Sequence, residues 1–199
     1  MKNALPLLTS TAYFPPAHWL VAGIRQGAWV LEGHENYQKG GWRNRCHIVG
    51  PNGQQTLSVP LEKGKHQRMP IQQVRISFRD DWARQHEQSI RTAYGRAPYF
   101  EYYAEDIFAI LRQAPETLWG LNQSLLSTIS RLLQLPFAPD TTNEFIPGND
   151  PTFLHPNMLQ ETLPPYPQVF TDRYGFTLGL SVLDALFCLG PQLLTTKLT

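Results

Sequence analysis

Charge is scarce and balanced in this chain of 199 residues: Asp, Glu, Lys and Arg make up 17%, and the formal net charge is +1. A nucleic-acid binder needs a basic face across its footprint, so no nucleic-acid partner is expected. Cysteine is scarcer still. Only Cys46 and Cys188 occur, far apart in a chain long enough to build its own core, so both are expected as reduced thiols in a cytoplasmic setting. No run is apolar enough for a membrane span. The most apolar window, 176–194, carries Asp184 near its middle and closes on Gly190-Pro191, and a carboxylate there would cost a span about 2.5–3.5 kcal/mol. Pro6 interrupts the leucine-rich start too early for a signal-peptide core. GxGxxG, P-loop, HExxH, GxSxG and paired CxxC signatures are all missing. Dinucleotide folds, Walker ATPases, common zinc hydrolases and nucleophile-elbow serine hydrolases therefore lose support. The six histidines show no ligand spacing. No metal is expected, and the sequence names no cofactor.

What is present is a composition 42% hydrophobic, enough to bury a core, so residues 1–199 are expected to form one domain. The fold class reads as α/β, with α+β as the alternative. Residues 1–78 read as mainly sheet. A strand over 5–12, a proline-opened helix over 16–27 and a strand over 28–33 make a β-α-β opening. Strands over 43–49 and 54–61 flank Gly50-Pro51-Asn52-Gly53, whose Pro and Asn-Gly mark a β-hairpin. A further strand is expected over 71–77. Residues 79–135 form a helical region: Trp82, His86, Ile90, Ala93 and Ala97 recur at helical spacing after capping groups at Ser77 and Asp80, and two more stripes follow from Phe100 and Leu118. Eight prolines then fall between 136 and 167. This Pro-rich stretch, 136–170, is expected as a wrapping segment or lid anchored by Phe145, Phe153, Met158 and Tyr166. A C-terminal helix, expected from Val182 with Ser181 and Asp184 in capping-box spacing, completes 171–199.

The candidate chemistry gathers after the second strand. Asn36 to Cys46 crowds Lys39, Arg43 and Arg45 with Tyr37, Trp42 and Asn44, a set suited to a phosphate or carboxylate: guanidinium groups grip these anions in bidentate fashion, the Asn44 amide donates and accepts, and Trp42 is a flat surface. The competing reading is a solvated edge strand blunted by charge. Glu32, His34 and Glu35 follow the second strand, at the edge where open α/β sheets place ligands, and Glu32, His34 and His86 are the candidate general bases. Either carboxylate, Glu32 or Glu35, also suits a plain ion pair with the nearby arginines, and His86, on an apolar stripe, suits a hydrogen-bonded core better than catalysis. Ser10 and Tyr13 would line the crevice where the first strand gives way to its helix, or Tyr13 would join the core. Lys63, Lys65, His66 and Arg68 form a second basic run that would clamp a pyrophosphate or simply be solvated.

Taken in order, Tyr13-Phe14-Pro15-Pro16, Glu35-Asn36-Tyr37 with Lys39, Trp42-Arg43-Asn44-Arg45-Cys46, Leu57-Ser58-Val59-Pro60, Trp82 with His86, Tyr94 with Ala97-Pro98-Tyr99-Phe100, and an ending from Tyr166-Pro167 to Gly190-Pro191 resemble the WbqC-like family of bacterial proteins. The family's place in O-antigen and related polysaccharide gene clusters implies a glycine or other aminoacyl transferase acting on a sugar. Here Thr11-Ala12 stands where members of those clusters tend to have glutamine-proline, and Gly33-His34 where they tend to have paired aspartates.

The leading expectation is a cytoplasmic group-transfer enzyme for a phosphate-linked, nucleotide- or lipid-linked sugar precursor. Lys39, Arg43, Arg45 and Lys63 would hold the anion, Tyr13, Tyr37, Trp42 and Asn44 would orient the substrate, and Glu32, His34 or His86 would take the proton. The alternatives are a nucleotidylyltransferase-like nucleotide-handling fold and a non-catalytic binding or assembly protein. The sequence leaves the oligomeric state open.

Overall fold

The computed structural model of the protein describes residues 5–64, 68–113, 115–135, 138–156 and 163–196. Its elements in chain order are β1 (Leu7–Ser10), α1 (Ala17–Gln26), β2 (Trp29–Glu32), β3 (Arg45–Gly50), β4 (Gly53–Ser58), α2 (Trp82–Tyr94), α3 (Phe100–Arg112), α4 (Leu118–Leu132), β5 (Asp140–Thr141), α5 (Thr171–Tyr174) and α6 (Val182–Leu189). The fold is mixed α/β. Among the described residues no helix is long and apolar enough to cross a membrane. Lys65, His66 and Met158, named above, lie outside the described residues.

The β-α-β opening forms as the sequence pattern requires. β1 and β2 pair in parallel, Leu7 opposite Trp29 and Ser10 opposite Glu32, and β5 adds a third parallel strand on the far side of β2. Successive residues of a strand point to opposite faces. Leu7, Trp29 and Leu31 are fully buried toward the core that includes α1, where the Trp29 indole N–H donates to Thr9 Oγ1 at 2.8 Å. This packing needs Gly23: a Cβ there would lie 3.0 Å from the Trp29 ring. Burial of a side chain as large as Trp29 contributes about 3–5 kcal/mol against its truncation to alanine.

The hairpin β3–β4 pairs antiparallel from Arg45–Ser58 to Gly50–Gly53 and buries Cys46, Ile48 and Leu57 against α2 and α6. Cys46 and Cys188 are both free thiols. Asp81, one residue beyond the expected Asp80, caps α2 by accepting from the Arg84 amide at 3.4 Å, and Thr117 caps α4 by accepting from the Gly120 amide at 3.1 Å. Leu118, Leu121, Leu125 and Ile129 put the inner stripe of α4 into the same core as Phe100, Ile107 and Leu111 of α3.

Two expectations are corrected. Residues 71–77 do not form a strand: Ile71–Gln73 is a 3-10 turn, and beyond it Arg75 and Ile76 make single bridges to Thr117 and Leu61. The physical reason is the spacing of the buried residues Ile71 and Val74, three apart, which fits a three-residue period and not strand alternation. Ser181 stands at the N-terminus of α6, but its side chain makes no cap bond. Asp184 does not complete a capping box either. It turns inward, fully buried, and accepts from the Tyr166 hydroxyl at 2.6 Å and Gln168 Nε2 at 2.9 Å, with its carboxyl pushed up by burial. The proline-rich stretch runs along the sheet, to which it contributes β5 and a bridge from Leu154 to Leu7.

Candidate functional site

The face of the sheet opposite Trp29 carries Leu8, Ser10, Val30 and Glu32 by strand alternation, with Ser10 and Glu32 neighbours across the β1–β2 pair. At the carboxyl ends of these strands lies a cavity of about 620 Å³, bounded by Ser10, Glu32, Glu35, Arg43, Phe145 and His155. This is where open parallel sheets bind ligands. Two cavities of similar size, about 650 and 660 Å³, border the hairpin tip, but every charged side chain lining them is exposed.

Three side chains interlock on the cavity wall. The Arg43 Nε donates to Glu35 Oε1 at 2.9 Å, its Nη2 pairs with Glu35 Oε2 and donates to Ser10 Oγ at 2.8 Å, and Ser10 Oγ donates to Glu35 Oε2 at 3.1 Å. Glu35 is 7% exposed, so this ion pair is screened little by water. The Arg43 main chain is fixed as well, since Asn122 Nδ2 of α4 donates to its carbonyl at 2.8 Å. A guanidinium has five N–H donors. The contacts above engage Nε and Nη2, and among the described residues both donors of Nη1 are left over.

Glu32, 5% exposed, does a different job. Its Oε1 accepts from the His34 amide at 2.6 Å and Thr142 Oγ1 at 3.1 Å, and its Oε2 accepts from the Ile146 amide at 2.7 Å. The carboxylate thereby ties the end of β2 to the segment 142–146, which forms the opposite wall. His34 is exposed, with Nε2 3.0 Å from the Thr142 carbonyl oxygen, a second tie to the same segment. Close approach of the two segments needs Gly33, whose Cβ would come within 2.7 Å of Thr141 Cγ2.

The other candidates lie away from the cavity. Tyr13 is fully buried, and its Oη is 2.8 Å from Nδ1 of His86. Burial lowers His86 to about 4, an interaction with the Ser58 backbone partly offsetting it, and burial raises Tyr13 well above the ordinary phenol range. Tyr37 and Asn44 are buried too: the Tyr37 hydroxyl donates to Asn44 Oδ1 at 3.2 Å, and Asn44 Nδ2 donates to the Val59 carbonyl at 2.9 Å. Trp42 is half-buried and meets the His47 ring edge-on at 4.9 Å, while its carbonyl accepts from the Tyr13 amide. Lys39, Arg45 and Lys63 are exposed. The motif that is continuous in sequence therefore divides: Arg43 faces the cavity, Tyr37 and Asn44 brace the hairpin, and Lys39 and Arg45 face solvent.

Sequence reasoning did not single out His155 as a site residue, and Phe145 entered only as an anchor. His155 is 4% exposed, and Nε2 lies 2.9 Å from the Asp150 carbonyl. Phe145 is 60% exposed at the rim. Neither belongs to a periodic pattern. The usable signal would have been a histidine and an aromatic residue in a long proline-rich stretch next to a sheet. Among the described residues no group of three or more His, Cys, Asp or Glu is placed to hold a metal ion.

The WbqC-like protein family matches the chain over residues 11–156, a span that takes in Glu32, Glu35, Arg43, Phe145 and His155 and leaves Ser10 just outside. No curated protein and no solved structure matches. The chain belongs to the WbqC-like protein family.

Proposed function

We propose that this member of the WbqC-like family is a group-transfer enzyme acting on a phosphate-linked sugar precursor, bound in the cavity at the carboxyl ends of β1 and β2. One observation carries the reading: a half-buried Glu35–Arg43–Ser10 cluster borders open space, and among the described residues the arginine's Nη1 donors have no partner. A guanidinium held rigidly by a carboxylate is pre-organised for a phosphate oxygen, which lowers the ordering cost of binding. Asn36 and Gln38, exposed on the cavity wall, suit sugar hydroxyls, and the Phe145 ring is a stacking surface at the rim. Glu35 already balances Arg43, so one phosphate fits this site better than a polyanion. Transfer of an aminoacyl group to the sugar is the finer form of this reading, and it is supported by the family resemblance alone.

The test is a thermal-shift panel of nucleotide sugars, sugar phosphates, ATP and aminoacyl donors on wild-type protein and on the exposed-site variants Gln38→Ala and Phe145→Ala. A ligand at a hundredfold excess over Kd adds about 2.7 kcal/mol, a rise of about 5–10 °C for a chain of this size. That rise should appear with a phosphate-linked sugar and shrink in both variants. A panel that leaves the wild type unmoved, or moves both variants as far as the wild type, overturns the reading.

A further inference from the structure

We infer that His155 is the proton acceptor of this cavity, held as the neutral tautomer that carries its proton on Nε2 and presents a basic Nδ1 to the substrate. The inference rests on the group-transfer reading for the identity of the reaction, but its chemistry stands on three observations. The first is the tautomer. Nε2 lies 2.9 Å from the Asp150 carbonyl oxygen, which can only accept, so Nε2 must donate and in a neutral ring Nδ1 holds the lone pair. The Asp150 carbonyl is itself fixed, because the Asp150 carboxylate accepts from both the amide and the hydroxyl of Thr152 in a closed turn. The second is placement. Leu154 pairs with Leu7 in parallel fashion: the Leu8 amide donates to the Leu154 carbonyl at 2.8 Å, and the Leu154 amide to the Pro6 carbonyl at 2.9 Å. Leu154 therefore faces as Leu7 does, and the next residue, His155, faces as Leu8 does, toward Ser10 and Glu32. The third is availability. His155 borders the cavity, no described residue meets Nδ1, and Nδ1 is not among the buried polar atoms that are sealed off without a partner.

The other titratable groups around the cavity are committed. Glu32 is spent on two backbone amides and Thr142, Glu35 on Arg43 and Ser10, and Arg43 has no lone pair to offer. A carbonyl-oriented histidine with a free second nitrogen is the arrangement that general-base catalysis needs. In the transfer step, the acceptor's O–H or N–H proton passes to Nδ1 as its oxygen or nitrogen bonds to the donor's electrophilic carbon. The bond from that carbon to the phosphate oxygen breaks, the phosphate leaves with the electron pair against Arg43 Nη1, and the imidazolium returns its proton to solvent.

The test uses the full-length protein and diethyl pyrocarbonate, which acylates an accessible, unprotonated imidazole nitrogen. A long-range ¹H–¹⁵N spectrum of histidine-labelled protein reads the tautomer, with His155→Gln assigning the resonance. The glutamine amide nitrogen can still reach the Asp150 carbonyl, so His155→Gln should melt within about 3 °C of the wild type. The expected results are an Nε2–H tautomer, acylation mapped to His155, and a kcat for His155→Gln about 10²–10⁴ lower with KM within about threefold. An Nδ1–H tautomer, an unreacted His155 beside a reacted, exposed His34, or a kcat within about threefold of the wild type overturns the inference. If the wild-type enzyme turns over no phosphate-linked donor, the group-transfer reading falls by itself, and tautomer and acylation decide the claim for His155.

Discussion

Two places in this protein bury polar side chains against each other, and they differ in what is left over. Behind the hairpin, Tyr13 meets His86, and Tyr37 meets Asn44, which in turn reaches the Val59 carbonyl. At the carboxyl ends of β1 and β2, Glu35, Arg43 and Ser10 are as tightly joined, but they stand beside open space, and donors on Arg43 remain for a guest. Burial and a short hydrogen bond are common to both, so neither marks a binding site. Unspent hydrogen-bonding capacity facing a cavity separates them.

The comparison breaks most readily at Arg43. Removing one partner of a buried ion pair strands the other, at about 3–5 kcal/mol. Arg43→Met should lose stability of that order in urea denaturation, and adding Glu35→Gln should recover much of it, because the stranded charge is gone. If Arg43→Met costs under about 1 kcal/mol, the pair behaves as a surface ion pair, and the contrast with the hairpin side fails.

The second test acts on the closed side through pH. His86 sits near 4 in the folded protein because burial disfavours the charged ring, against 6.5 in the unfolded chain. Between those values the unfolded state binds the extra proton, so stability rises with pH there. The contribution is fully present above about 6.5 and is lost as pH falls toward 4, about 3 kcal/mol in all. His86→Gln should flatten the stability curve over that window while leaving ligand-induced melting shifts intact. Loss of those shifts would bring His86 back into the functional site.

The smallest effects sharpen the boundary. Arg45→Ala and Lys63→Ala change exposed side chains and should alter stability by less than about 0.5 kcal/mol. Neither should reduce the melting shift given by a phosphate-linked sugar, whereas Phe145→Ala should. A shift abolished by Arg45→Ala would move the anion site from the cavity to the solvent-facing basic run.

Much of the scaffold was legible because it is locally encoded. The β-α-β opening, the hairpin and helices α2 to α4 each follow from apolar periodicity and turn chemistry within a few residues. Residues 71–77 misled because Ile71, Val74 and Ile76 mix a three-residue step with a two-residue one. β5 was illegible: Asp140–Thr141 has no strand composition and pairs only because β2 offers it an edge. The site divides along the same line. Glu32 and Arg43 stood out because the sheet-edge rule and the basic motif point to them. His155 did not, because its neighbours in space come from the other end of the chain and proline-rich sequence carries no period to read.

That pairing of β5 with β2 has a consequence for how the molecule comes together. Val30 and Asp140 meet across more than a hundred residues, and closing a loop of that length costs about 4 kcal/mol in chain entropy before any contact repays it. The β1–α1–β2 unit, whose partners are near in sequence, forms without that cost, so the floor of the cavity precedes its wall. Glu32 stands at the junction, and its two hydrogen bonds to 142 and 146 are what the wall gains on docking, the bond from the His34 amide being local to the end of β2. Completion of the cavity, the proposed binding site, is thus coupled to a pairing far less local than the β1–α1–β2 unit that it completes.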